Sequence, residues 1–75
     1  MSTLDSLVPG ESGIIVSVGG SGALRHRLLD MGLTPRTAVR VERIAAMGDP
    51  MELYLRGYRL TLRKEDASKI EVEKR

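Results

Sequence analysis

Seventy-five residues, 41% of them hydrophobic, make one domain around one small core and leave no room for a second. The absence of cysteine excludes disulfides and thiolate metal sites, and the single histidine leaves little material for acid–base catalysis. A formal charge of +2 conceals a basic middle: residues 25–64 hold nine Arg or Lys against four Asp or Glu, a balance that favours a negatively charged partner.

Leu4, Leu7 and Val8 form an apolar lead-in that ends at Pro9-Gly10, where Pro fixes φ and Gly permits the reversal. A first strand is predicted over Glu11 to Val18, with Ile14, Val16 and Val18 on one face and Ile15 and Ser17 on the other. Val18-Gly19-Gly20-Ser21-Gly22 then leads into a helix predicted over Gly22 to Met31. Leu24, Leu28 and Met31 share a stripe at the helical period. Ser21 is the expected N-cap, and Gly32 suits the left-handed C′ position with Leu33 folding back on Leu28.

Beyond Pro35 the period changes from 3.6 to 2. Ala38 to Ile44 alternate and then slip near Arg43, as a bulge or strong bend requires. Met47-Gly48-Asp49-Pro50 is a turn. Met51, Leu53 and Leu55 form the apolar face of a hairpin strand, and after Gly57 the residues Tyr58, Leu60 and Leu62 repeat that parity, which places Tyr58 in the core. One helical turn at Lys64 to Lys69 and a last short strand through Ile70 and Val72 complete the chain. The expected fold is therefore mostly β with one short α-helix inserted after the first strand, its roughly five strands curled into a small barrel.

The glycine-rich turn fails as a phosphate cradle. From Gly20 and Gly22 the third glycine of a dinucleotide fingerprint would fall on Arg25, and no Gly-Lys-Ser or Gly-Lys-Thr follows. His26 and Asp30, four apart on the predicted helix, could face one ion, but two ligands seldom hold a transition metal, so a solvated pair is expected and no metal or cofactor is assigned. With one histidine on an exposed helix face no triad can be assembled, and the carboxylates fall at solvated positions, so no enzyme is expected. Arg56, Arg59 and Arg63 beside Tyr54 have the charge for nucleic acid but a single stacking ring. Leu29 falls outside the helix stripe beside Arg25. It is either a second core contact or, if exposed, a docking knob flanked by Arg25 and His26.

Pro9-Gly10-Glu11-Ser12-Gly13, Arg27-Leu28-Leu29-Asp30-Met31-Gly32-Leu33-Thr34-Pro35, Gly48-Asp49-Pro50 and the run from Gly57 to Ala67 together resemble the FeoA family of ferrous-iron uptake proteins. The resemblance covers about Leu4 to Val72 and departs from the family pattern at Arg36, where glycine is common, and at Ala45-Ala46. It implies a single SH3-like domain over residues 1–75, located in the cytoplasm, that docks on and modulates FeoB, the membrane transporter with a GTPase domain. No nucleic acid and no direct membrane insertion are expected, consistent with the lack of a long uncharged apolar run. The faces assigned to the partner are Arg25, His26 and Leu29 on the helix and Tyr54, Arg56 and Arg59 on the hairpin, chosen for exposure and basic character. The alternative is a free-standing SH3-like module for another acidic protein or an RNA.

Overall fold

Two irregularities in the strands decide which side chains reach the core. The computed structural model describes residues 2–75, in the order β1 (Ser2–Thr3), a 3₁₀ turn (Leu4–Ser6), β2 (Ser12–Val18), α1 (Gly22–Asp30), β3 (Ala38–Ile44), a second 3₁₀ turn (Ala46–Gly48), β4 (Met51–Leu55), β5 (Tyr58–Leu62), α2 (Lys64–Ala67) and β6 (Ile70–Lys74). The strands form one antiparallel sheet in the order β1-β6-β2-β3-β4-β5. The expected closed barrel of about five strands is thus corrected: the sheet has six strands, it is open, and a two-residue strand precedes the one that leads into the helix.

In β2 the pairing with β6 shifts between Ile15 and Ser17. That bulge reverses the expected parity. Ile15 and Val18, three residues apart, are both buried, and Val16 is exposed. Gly13 occupies the inward position two before Ile15, where a Cβ would meet the Glu73 carbonyl oxygen at 3.0 Å. In β3 the slip expected near Arg43 is present, since the register against β4 shifts between Val41 and Arg43. Val39 and Val41 lie in the core ahead of it, and Arg43 turns outward behind it.

The helix ends as its sequence requires. Leu33 N–H donates to the Leu28 carbonyl at 3.2 Å and Gly32 N–H to the Leu29 carbonyl at 3.0 Å, a Schellman motif with Gly32 at φ +95. Leu28 and Leu33 are then fully buried. Burying a leucine removes roughly 1.5–3 kcal/mol worth of apolar surface from water, which fixes the helix to the sheet far more firmly than nine residues of propensity. At the other end Ser21 has the extended backbone of an N-cap but makes no side-chain capping bond.

The hairpin behaves as expected on β4, where Met51, Leu53 and Leu55 are buried. Arg56 (φ 50) and Gly57 (φ 84) form its two-residue turn, both left-handed as a type I′ connection needs. The core assignment of Tyr58 is overturned: its parity is inward, but it is 41% exposed because its hydroxyl reaches out to donate to the Met31 carbonyl. Val8 is exposed, while Leu4 and Leu7 of the lead-in are buried. Asp49 ends its turn with a local task, accepting the first backbone N–H of α2, from Lys64, at 2.9 Å. Among the described residues no helix is long and apolar enough to cross a membrane.

Candidate functional site: a basic face around Tyr54

Sheet register assembles a row that no single segment contains. Arg40 on β3 faces Tyr54 on β4, which in turn faces Arg59 on β5. The guanidinium carbon of Arg40 lies 5.2 Å from the centroid of the Tyr54 ring, within cation–π range. Arg40 also donates to Glu42 at 2.9 Å, and that bond holds the Glu42 carboxyl below the ordinary carboxylate range. Glu42 therefore offsets one arginine of the row. Arg59 and, beyond it, Arg56 and Arg75 enter no ion pair among the described residues.

Arg56 sits at the hairpin tip, and its guanidinium is already committed. One nitrogen donates to the hydroxyls of Thr34 and Thr37, each at 2.8 Å. Thr37 is the one buried polar residue among the described residues, and its hydroxyl lies 2.9 Å from that of Thr34. Arg56 thus ties the tip to the segment behind α1 while its charge remains at the surface. Ser12, Arg40, Tyr54, Arg56 and Arg75 line a shallow groove of about 240 Å³ on this side. Its charges suit a carboxylate-bearing surface, and its half-exposed ring adds one apolar contact.

The helix residues lie elsewhere. Tyr58 points to the side of the hairpin that meets α1, and alternation places Tyr54 and Arg59 on the opposite side. The two expected faces are therefore not one surface. Arg25 bends back so that its Nε donates to the Val18 carbonyl at 3.2 Å, bracing the turn into the helix. Leu29 is not a knob: it is half-buried and packs against the core cluster. His26 is exposed, and among the described residues no group of three or more His, Cys, Asp or Glu is placed to hold a metal ion. Arg27, one residue on, pairs with Asp66 of α2 at 3.1 Å.

Arg40 and Arg75 were outside the expected site. Arg40 was reachable, since its outward parity in Ala38–Ile44 is plain. What the linear pattern lacks is the register that sets it beside Tyr54. Arg75 reaches this face because β6 runs beside β2, and its N–H donates to the Ser12 carbonyl at 3.0 Å.

Comparison with known proteins adds the lineage. The family model described as "FeoA domain" matches residues 2–74, nearly the whole chain. The chain belongs to the FeoA family. A curated relative, the Fe(2+) transport protein A/Fe(2+) transporter FeoB fusion protein of Porphyromonas gingivalis, is 40% identical over 70 residues. That match spans 93% of this chain but only 8% of the relative. Among solved structures, an iron uptake regulatory protein (FeoA) shares 32% identity at a TM-score of 0.87, over 99% of this chain and 96% of that one. Stenotrophomonas maltophilia FeoA complexed with zinc, described as a prokaryotic SH3 domain protein, shares 25% identity at a TM-score of 0.85, over 97% and 91% of the two chains. The six-stranded sheet with its short helix is SH3-like in that sense, and the family is linked to ferrous iron transport.

Proposed function

We propose that this FeoA-family protein is a cytoplasmic, non-enzymatic accessory factor of ferrous iron uptake that docks on a FeoB-type transporter and modulates it. The observation that carries this reading is the Porphyromonas gingivalis relative, in which a FeoA-like segment and FeoB share one polypeptide. The linker in that relative holds the two modules at an effective concentration of order millimolar, and a contact surface on this module would serve their association. The basic face around Tyr54 is the surface best suited to that task. Its arginines favour an acidic counterpart and would speed encounter at low salt. Nothing catalytic is asked of the module, whose one histidine is exposed on α1.

The test is capture of detergent-solubilised FeoB from the same organism by the purified chain, at two salt concentrations and with or without guanine nucleotide. Binding that weakens at the higher salt, and that weakens further in Arg59→Glu, supports docking through this face. Absence of binding under all conditions refutes the reading.

A further inference from the structure

The sheet order ends at β5, so among the described residues one side of that strand has no neighbouring strand. The turn determines which backbone groups this leaves facing out. With a two-residue connection, Leu55 and Tyr58 exchange both hydrogen bonds of the first rung, and the pattern alternates from there. Leu53 with Leu60 and Met51 with Leu62 are bonded pairs; Tyr54 with Arg59 and Glu52 with Thr61 are not. The N–H and C=O of Arg59 and Thr61 consequently point away from β4. Among the described residues no turn, loop or cap bond reaches them, and both residues are exposed.

Space is available beside them. Thr61 stands between two grooves, one of about 270 Å³ shared with Arg27, Met31 and Arg63, the other of about 160 Å³ shared with Arg43, Pro50 and Glu52. An added strand alternates its side chains, so it needs room on both faces of the sheet. The charge around the edge is positive. Arg43, Arg59 and Arg63 are exposed against Glu52, while Asp66 is taken by Arg27.

We propose that the β5 edge receives an extended acidic segment of the partner protein as a seventh strand. The segment's main chain bonds to Arg59 and Thr61, and its carboxylates lie against Arg43, Arg59 and Arg63. The inference rests on the docking reading and states how the contact is made: main-chain bonds give affinity and the flanking charges give selectivity. A second copy of this chain is the wrong occupant. Any antiparallel register centred within Arg59–Thr61 sets Arg59 opposite or diagonal to Arg59 or Arg63 of the other copy, within about 8 Å, where like charges repel. The same arginines that guard the edge against self-pairing admit an acidic strand.

Thr61→Pro tests this without changing charge. Proline is tolerated in a strand where its missing N–H faces away from the paired neighbour, and the preceding Leu60 is already extended. Binding of wild type, Thr61→Pro, Thr61→Val and Arg59→Glu to solubilised FeoB from the same organism is compared, with each fold checked by far-ultraviolet circular dichroism. Thr61→Val is expected to bind as wild type and Thr61→Pro about tenfold more weakly or worse, from one lost bond and the added ring. A folded Thr61→Pro that binds within twofold of wild type overturns the edge and leaves docking intact. If Thr61→Pro fails to fold, hydrogen exchange on the wild-type complex decides: slowed exchange at the Arg59 and Thr61 amides supports the seventh strand, and unchanged exchange overturns it. Failure of the wild type itself to bind refutes docking, and this inference with it.

Discussion

The phenolic hydroxyl of Tyr58 donates to the carbonyl of Met31, joining the hairpin to the last turn of α1. The next residue, Gly32, is held at φ +95 beneath that ring, and a Cβ there would lie 2.5 Å from the Tyr58 oxygen. Two penalties therefore fall on Gly32→Ala, the left-handed backbone at roughly 1–2 kcal/mol and a clash with a side chain that is anchored rather than free. Gly32→Ala is expected to lose about 2 kcal/mol or more, a fall in Tm of roughly 8–16 °C for a domain this size. In a Tyr58→Phe background the clash is relieved, so the penalty of Gly32→Ala should shrink. A thermal-unfolding double-mutant cycle with no coupling would show that the tyrosine is not the obstacle.

Arg56 joins the same tip to the segment that follows α1. Because it bonds both Thr34 and Thr37, its removal leaves two hydroxyls that retain only each other. Charged donors contribute more than neutral ones, but this guanidinium is exposed, so Arg56→Ala should cost about 1 kcal/mol. A cycle with Thr37→Val isolates the bond, and Arg56→Lys should recover only part of it, since the lysine nitrogen ends about one bond short of the guanidinium nitrogen that makes both contacts. Urea denaturation of the four proteins of the cycle and of Arg56→Lys is the measurement. Equal midpoints for wild type and Arg56→Ala would remove Arg56 from the framework and leave it free for binding alone.

How much of this was legible depends on whether the signal is local. The helix with its Gly32 stop, the alternation of Met51, Leu53 and Leu55, and the slip near Arg43 were read from adjacent residues, and each reflects forces acting within a few residues. In the run Ile14-Ile15-Val16 the period of two has no polar contrast to set its phase, and the β2 bulge that decides it arises from pairing with β6. Tyr58 had the right parity, but its polar tip found a carbonyl 27 residues away. Arg56 and Thr37 are 19 apart, and the row of Arg40, Tyr54 and Arg59 crosses three strands. The candidate site is thus tertiary in origin, and charge and parity located only its separate members.

Arg36, a residue with a full side chain, adopts the left-handed φ of 74. Its backbone N–H donates to the Ile15 carbonyl at 2.7 Å, so the conformation is required by pairing with β2 and cannot relax. Left-handed backbone costs a side-chain-bearing residue roughly 1–2 kcal/mol, and glycine gives back roughly 0.5–1 kcal/mol through the freedom of the unfolded chain. The difference favours glycine. Arg36→Gly is expected to gain about 0.5–1 kcal/mol, and Arg36→Ala, which keeps the Cβ, to gain little. A Tm for Arg36→Gly below that of wild type would contradict the strain argument.

Glu11 closes the loop between the lead-in and the last strand. Its carboxylate pairs with Lys74 and accepts the Val8 N–H at 2.9 Å, and these bonds, that from Lys74 foremost, hold its pKa below the usual glutamate value. Glu42 is depressed in the same way by Arg40. A carboxyl with a lowered folded-state pKa binds fewer protons when folded than when unfolded. Its stabilisation is therefore complete above the unfolded value, about 4.3, and is lost as pH falls through the lower folded value. Wild type should then exceed Glu11→Gln in stability at neutral pH, with the gap closing below about pH 4. Lys74 is exposed and Glu11 only half-buried, so the gap should also narrow in high salt. Denaturant midpoints of the two proteins at pH 7 and pH 3, each at low and high salt, check this, and a gap independent of pH would mean that Glu11 acts through packing and not through its charge.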